Sequence, residues 1–167
     1  LNPDLPVARR DLLGQDTSRL ERLDYSPSCW LLLAGSSAQY AKTAHHNIHF
    51  GRAWRRSFDE VLSGRPMTDP SFLVTNPTHT DPSLAPPGKH SYHVLFITPN
   101  AHGGQTWSDP RFRDDALSVL EQRGYRGFAD AIEVSDITDP SVWQARGLQA
   151  GTPFSAAHSL RQTGPFR

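Results

Sequence analysis

Short apolar runs closed by proline or glycine alternate along this chain with stretches in which apolar residues return every three or four positions. The first strong run, residues 28–35, places Trp30, Leu31, Leu32 and Leu33 in succession between Pro27 and Gly35. That pattern predicts a strand covered on both faces. Residues 46–50 predict a second strand after the Gly35-Ser36-Ser37 turn, with Ile48 and Phe50 on one face and Asn47 and His49 on the other. Residues 51–62 carry the clearest helical period, Trp54, Phe58, Val61 and Leu62, and Gly64 closes it. Six prolines between positions 66 and 87 then surround one short extended piece, 72–75, and Pro86-Pro87-Gly88 makes a loop. The run 91–98, with Tyr92, Val94, Leu95, Phe96 and Ile97, predicts a strand paired antiparallel with 72–75.

Asp109-Pro110 is a helix start, an N-cap followed by proline at the first helical position. Phe112, Ala116, Val119 and Leu120 keep helical spacing until Gly124. Residues 129–134 predict a last strand, and Asp139-Pro140 starts a short helix that Gly147 stops. Ahead of all these, 5–13 and 18–23 predict short, mostly polar helical pieces. The order predicts an α+β fold: a mainly antiparallel mixed sheet of about five strands, with the helices around Trp54 and Phe112 packed on one face.

At 167 residues the chain is expected to form a single domain, 1–167, burying roughly 70% of its unfolded surface. Seventeen basic and seventeen acidic residues cancel, so no long-range field draws the chain to a phosphate backbone, and no nucleic-acid partner is expected. The single Cys29 forms no internal disulfide and reads as a small buried hydrophobe, which makes reducing cytoplasm the simplest compartment. Residues 1–14 hold Asp4, Arg9, Arg10 and Asp11 and no apolar signal region. The longest apolar run, 29–34, falls far short of the ~20 residues that span a bilayer. Any membrane contact is therefore expected to be peripheral, on the inner face.

His45, His46 and His49 are the metal suspects. On a strand His45 and His49 share a face but stand about 13 Å apart at ~3.3 Å per residue, too far for one ion. On a helix they resemble HExxH, but His46 takes the place of the general-base Glu. No metal is expected. Gly35-Ser36-Ser37 lacks the closing glycine of a GxSxG nucleophile elbow. Asp130, Glu133, Asp136 and Asp139 read as a solvated edge and a helix cap.

Several long blocks carry a family resemblance. They are residues 28–54 (SCWLLLAGSSAQYAKTAHHNIHFGRAW), 69–100 (DPSFLVTNPTHTDPSLAPPGKHSYHVLFITPN), 123–134 (RGYRGFADAIEV) and 151–167 (GTPFSAAHSLRQTGPFR). Together they resemble the phytoene desaturases, flavin-dependent carotenoid dehydrogenases, over nearly the whole chain. The resemblance implies removal of hydrogens from a saturated carbon pair of a long apolar isoprenoid, with hydride passing to FAD. It also implies that 151–167 lies just upstream of a flavin-contacting region. Phe154, His158, Gln162 and Phe166 are therefore the candidate substrate- or flavin-proximal residues; the catalytic residues stay unassigned.

Such enzymes hold the dinucleotide pyrophosphate on a GxGxxG turn, and none of the twelve glycines here falls in that pattern. The expectation is thus the substrate lobe of a two-lobed flavoenzyme, without the FAD-binding Rossmann-type lobe and with no FAD bound by these residues alone. Its partners would be the isoprenoid and that other lobe. The rival readings are a flavin-dependent carotenoid isomerase, a diapophytoene desaturase, or a non-catalytic module that binds an apolar ligand or partner. Trp30 to Leu33 and Tyr92 to Ile97 are both suited to line an isoprenoid tunnel, and the sequence does not say which side of each strand faces it.

Overall fold

The structure, a computed structural model, describes residues 4–107 and 109–163. Its strands are β1 (Ser28–Ser36), β2 (His46–His49), β3 (Phe72–Thr75), β4 (His90–Thr98) and β5 (Ile132–Thr138), in the sheet order β2-β3-β4-β1-β5. Every neighbouring pair is antiparallel, so the sheet is uniform where a mixed one was expected. The helices are α1 (Leu5–Val7, continued by a π-helical turn Ala8–Leu12), α2 (Ser18–Glu21), α3 (Trp54–Leu62), α4 (Pro110–Gln122) and α5 (Pro140–Ala145). Among the described residues, no helix is long and apolar enough to cross a membrane.

The long pair β1–β4 sets the frame, running in register from Ser28 opposite Thr98 to Ser36 opposite His90. Alternation sends every second side chain to the same face. Trp30, Leu32 and Ala34 thereby join Tyr92, Val94, Phe96, Phe72 and Val74, and α4 covers them with Ala116, Leu117 and Leu120. The helix starts as its sequence dictates, Asp109 accepting from the Arg111 N–H at 3.0 Å ahead of Pro110. The turn after it returns Tyr125 and Phe128 to the core, and for that reason β5 begins at Ile132 and not at Ala129. In the middle of this face Trp30 meets Phe96 edge-on at 6.1 Å and Phe112 at 5.6 Å.

Two expectations are corrected here. β1 is not covered on both faces: Leu31 on its second face is half-buried and Leu33 is 44% exposed. The stripe of α3 turns inward only in part. Trp54 and Leu62 are exposed, the buried residues are Ser57, Glu60 and Val61, and none of α3 belongs to the core cluster under α4. Polar anchoring explains the rotation. Ser57 Oγ donates to the Asp69 carbonyl at 3.0 Å, and Glu60 accepts from the Thr68 N–H at 2.8 Å. Leaving these groups buried without partners would cost more than exposing a few apolar side chains.

The same anchors make the fold sensitive to acid. The Thr68 amide N–H, assisted by Arg56 and the Thr68 hydroxyl, holds the Glu60 carboxyl below its ordinary value; the Ala53 and Arg52 amides and Arg123 do so for Asp69. A depressed native value means stability that is present above the unfolded-state value and lost as pH falls through the native one. The difference in urea midpoint between the wild type and Glu60→Gln is therefore expected to be widest at neutral pH and to close below the ordinary carboxylate range. A difference that stays constant under acid would show that the Glu60 charge is not the stabilising element.

Candidate functional site: the open face of the sheet

The register that builds the core places a second set of side chains on the opposite face. Trp143 of α5 closes one end of it, donating from Nε1 to the Cys29 carbonyl at 3.2 Å. Cys29 is buried there, and burial pushes its thiol up to about 11, which makes it an inert hydrophobe. Beyond that end, Ile48, Leu73, Leu95 and Leu31 form one apolar row across four strands. Ile97 lies to one side of this row and Leu33 to the other, while Val134 folds over Gly35. A Cβ on Gly35 would meet Val134 Cγ1 at 2.7 Å, so a side chain there would displace the valine. Ile48 and Val134 are 62% and 69% exposed.

Phe50, Trp54 and Phe58 follow one another along the rim, their rings tilted at 58° and 54° with centroids 5.5 and 4.7 Å apart. They owe this place to the rotation of α3. Ile48, Leu73 and Leu95 of the row and Phe50 and Trp54 of the rim, with Ser71, Phe72 and Ile97, line a groove of about 130 Å³. A contiguous apolar patch on a soluble domain commonly marks a binding surface.

The next row across the sheet is polar: His46, Thr75, His93, then Leu33 and Asp136. His46 Nδ1 lies 3.0 Å from Thr75 Oγ1. Burial, and then the nearby His46, hold His93 below its ordinary value. At neutral pH His93 is thus an uncharged imidazole, set between Thr75 and Leu33 in this row.

The histidine trio does not converge. His45 Nδ1 meets Thr80 Oγ1 at 2.7 Å, while His49 lies on the core face, stacked on Phe72 at 4.6 Å with Nε2 3.0 Å from the Tyr125 hydroxyl. Burial and Arg123 hold His49 below its ordinary value. The acidic group is likewise dispersed: Asp139 caps α5 by accepting from the Ser141 and Val142 amides, and Glu133 pairs with Lys89.

The C-terminal segment runs beside residues 24–27, ahead of β1. Thr152 Oγ1 donates to the Pro27 carbonyl at 2.8 Å, the Ser26 N–H to Ser155 at 3.1 Å, and the Ala157 N–H to Asp24 at 2.8 Å. Gln162 acts as a clasp, its Oε1 accepting from the Asp24 N–H while Nε2 donates to the Asp24 and Ala157 carbonyls. Phe154 is 48% exposed. His158 shares a cleft with Gln162, to which Phe154 does not contribute. Phe166 lies outside the described residues. The sequence reading missed His93; its signal was a histidine interrupting an otherwise apolar strand, in the alternation Tyr92, Val94, Phe96 against His93, Leu95, Ile97.

No protein-family model matches the chain. Curated relatives match it from end to end. It is 49% identical over its whole length to a phytoene dehydrogenase of Streptomyces griseus, covering 34% of that protein. It is 35% identical over 99% of its length to a zeta-carotene-forming phytoene desaturase of Myxococcus xanthus, again covering 34%. A 4,4'-diapophytoene desaturase of Staphylococcus haemolyticus is 33% identical over 98% of the chain, with 36% of that protein covered. These matches define a class, the carotenoid dehydrogenases and desaturases. Over the stretch it covers, the chain is similar to phytoene dehydrogenases and desaturases; it spans about a third of the length of the relatives it matches.

Proposed function

We propose that this chain is the substrate lobe of a flavin-dependent oxidoreductase that dehydrogenates a long apolar isoprenoid in carotenoid biosynthesis, and that the isoprenoid lies along the open sheet face. The observation that carries this reading is the continuous row Ile48, Leu73, Leu95, Leu31 with its aromatic rim. A hydrocarbon chain offers no hydrogen bonds, so the lobe can contribute only shape, apolar contact and exclusion of water. His93, held neutral, brings no charge to that contact. Phe154 is proposed as a further contact on the flavin- or substrate-facing side, supported by the family resemblance and by its exposure.

A flavin would supply the oxidising power. These residues contain no GxGxxG turn to hold its pyrophosphate, so the chain does not fit that role and no step of the reaction is assigned to a residue here. The substrate would reach the enzyme from a membrane that the protein touches peripherally. The reading is tested by photo-crosslinking in the full-length enzyme. A benzophenone side chain at position 33 or 48 should capture labelled phytoene, and one at the exposed position 118 on α4 should not. Equal capture at all three positions, or capture at 118 alone, defeats the assignment of this face.

A further inference from the structure

The N-terminal helical turns and the C-terminal segment meet around a cleft of about 430 Å³ that includes no residue of the sheet. Arg9, Arg19, Arg161 and His158 line it, against a wall of Leu5 and Leu20. No carboxylate lines the cleft, and the acids of the same segments are occupied elsewhere. Asp4 accepts from the Leu5 and Gln149 amides at 2.8 Å, Asp16 from the Ser18 amide and hydroxyl, Glu21 from the Thr17 hydroxyl, and Asp11 from Arg10. Among the described residues, none of the three arginines forms an ion pair. Three arginines without an acidic partner along one cavity give it a positive lining, which an anion would neutralise. Guanidinium forks match phosphate oxygens in pairs, and a leucine wall suits hydrocarbon.

We propose that this cleft binds a phosphate group carried on an apolar chain. Two sources share that chemistry, a phospholipid headgroup at a membrane surface and a soluble alkyl or prenyl phosphate. The same two segments expose Leu12 at 66%, Leu13 at 64% and Leu160 at 89%, as a surface that settles into a lipid interface does. This inference is independent of the assignment of the sheet face.

The test uses two probes, vesicles of phosphatidylglycerol against vesicles of phosphatidylcholine, and monomeric octyl phosphate. Arg9→Gln, Arg19→Gln and Arg161→Gln are each expected to weaken binding roughly fivefold, as one basic side chain near an anionic surface does. The charge-matched control is Arg55→Gln, Arg65→Gln and Arg126→Gln, three exposed arginines that do not line the cleft. Thermal melting of every variant separates binding from unfolding. Cleft-dependent binding of phosphatidylglycerol vesicles alone assigns the site to the membrane surface; cleft-dependent binding of octyl phosphate alone assigns it to a soluble ligand. Equal losses in the cleft and control sets, or binding of neither probe by the wild type, overturns the proposal.

Discussion

Trp30→Ala is expected to remove about 3–5 kcal/mol of folding stability, a large share of the ~5–15 kcal/mol that a domain of this size holds. Trp30 is 1% exposed and sits where the sheet, Phe96 and the start of α4 meet, so its loss leaves a cavity that three elements must share. Leu33→Ala, three residues along the same strand and on the other face, is expected to cost less than about 1 kcal/mol, since a side chain already 44% exposed loses little burial. Urea unfolding of both variants reads the contrast directly. Comparable losses would mean that the second face is covered after all.

The largest functional effect is expected from a charge on the open face. In the full-length enzyme Ile48→Asp should reduce dehydrogenated product by about a hundredfold or more, because a carboxylate facing hydrocarbon must be desolvated without a partner. Ile48 is 62% exposed in this chain, so the substitution leaves its folding nearly intact. Ile48→Val, which keeps the surface apolar, should stay within a few-fold of the wild type. Product formed per folded enzyme is the measurement, with the melting temperature recorded alongside. Near-normal turnover by Ile48→Asp would place the isoprenoid elsewhere.

Much of the architecture was legible in the residues because the signals were local. Asp109-Pro110 and Asp139-Pro140 cap α4 and α5 with their own side chains, within three residues of where each helix starts. The apolar runs around Leu32 and Val94 became the paired central strands. The stripe on α3 misled for an equally physical reason. Trp54, Phe58, Val61 and Leu62 are spaced for burial, but Ser57 and Glu60 had polar partners waiting at Asp69 and Thr68. Those partners come from a loop beyond the helix, which no helical period reports.

The candidate site was legible only in part. The C-terminal segment stood out by the family resemblance, yet in the fold Gln162 fastens backbone and His158 faces a basic cleft lined also by Arg9 and Arg19. Such a cleft joins residues some 150 positions apart, and nothing in either segment announces the other.

By itself the sequence determined the central strands, the caps and the α+β layout, since each rests on runs or motifs a few residues long. Only the tertiary structure decided which half of each strand became core. Trp30 and Leu32 are as apolar as Leu31 and Leu33, and alternation divides them without naming a side. The choice came from α4 docking on Leu32, Val94 and Phe96, which left Leu31, Leu33 and Leu95 facing outward. Burial against a helix more than seventy residues away is a property of the folded chain, and it is what leaves the other half of an apolar strand as open surface.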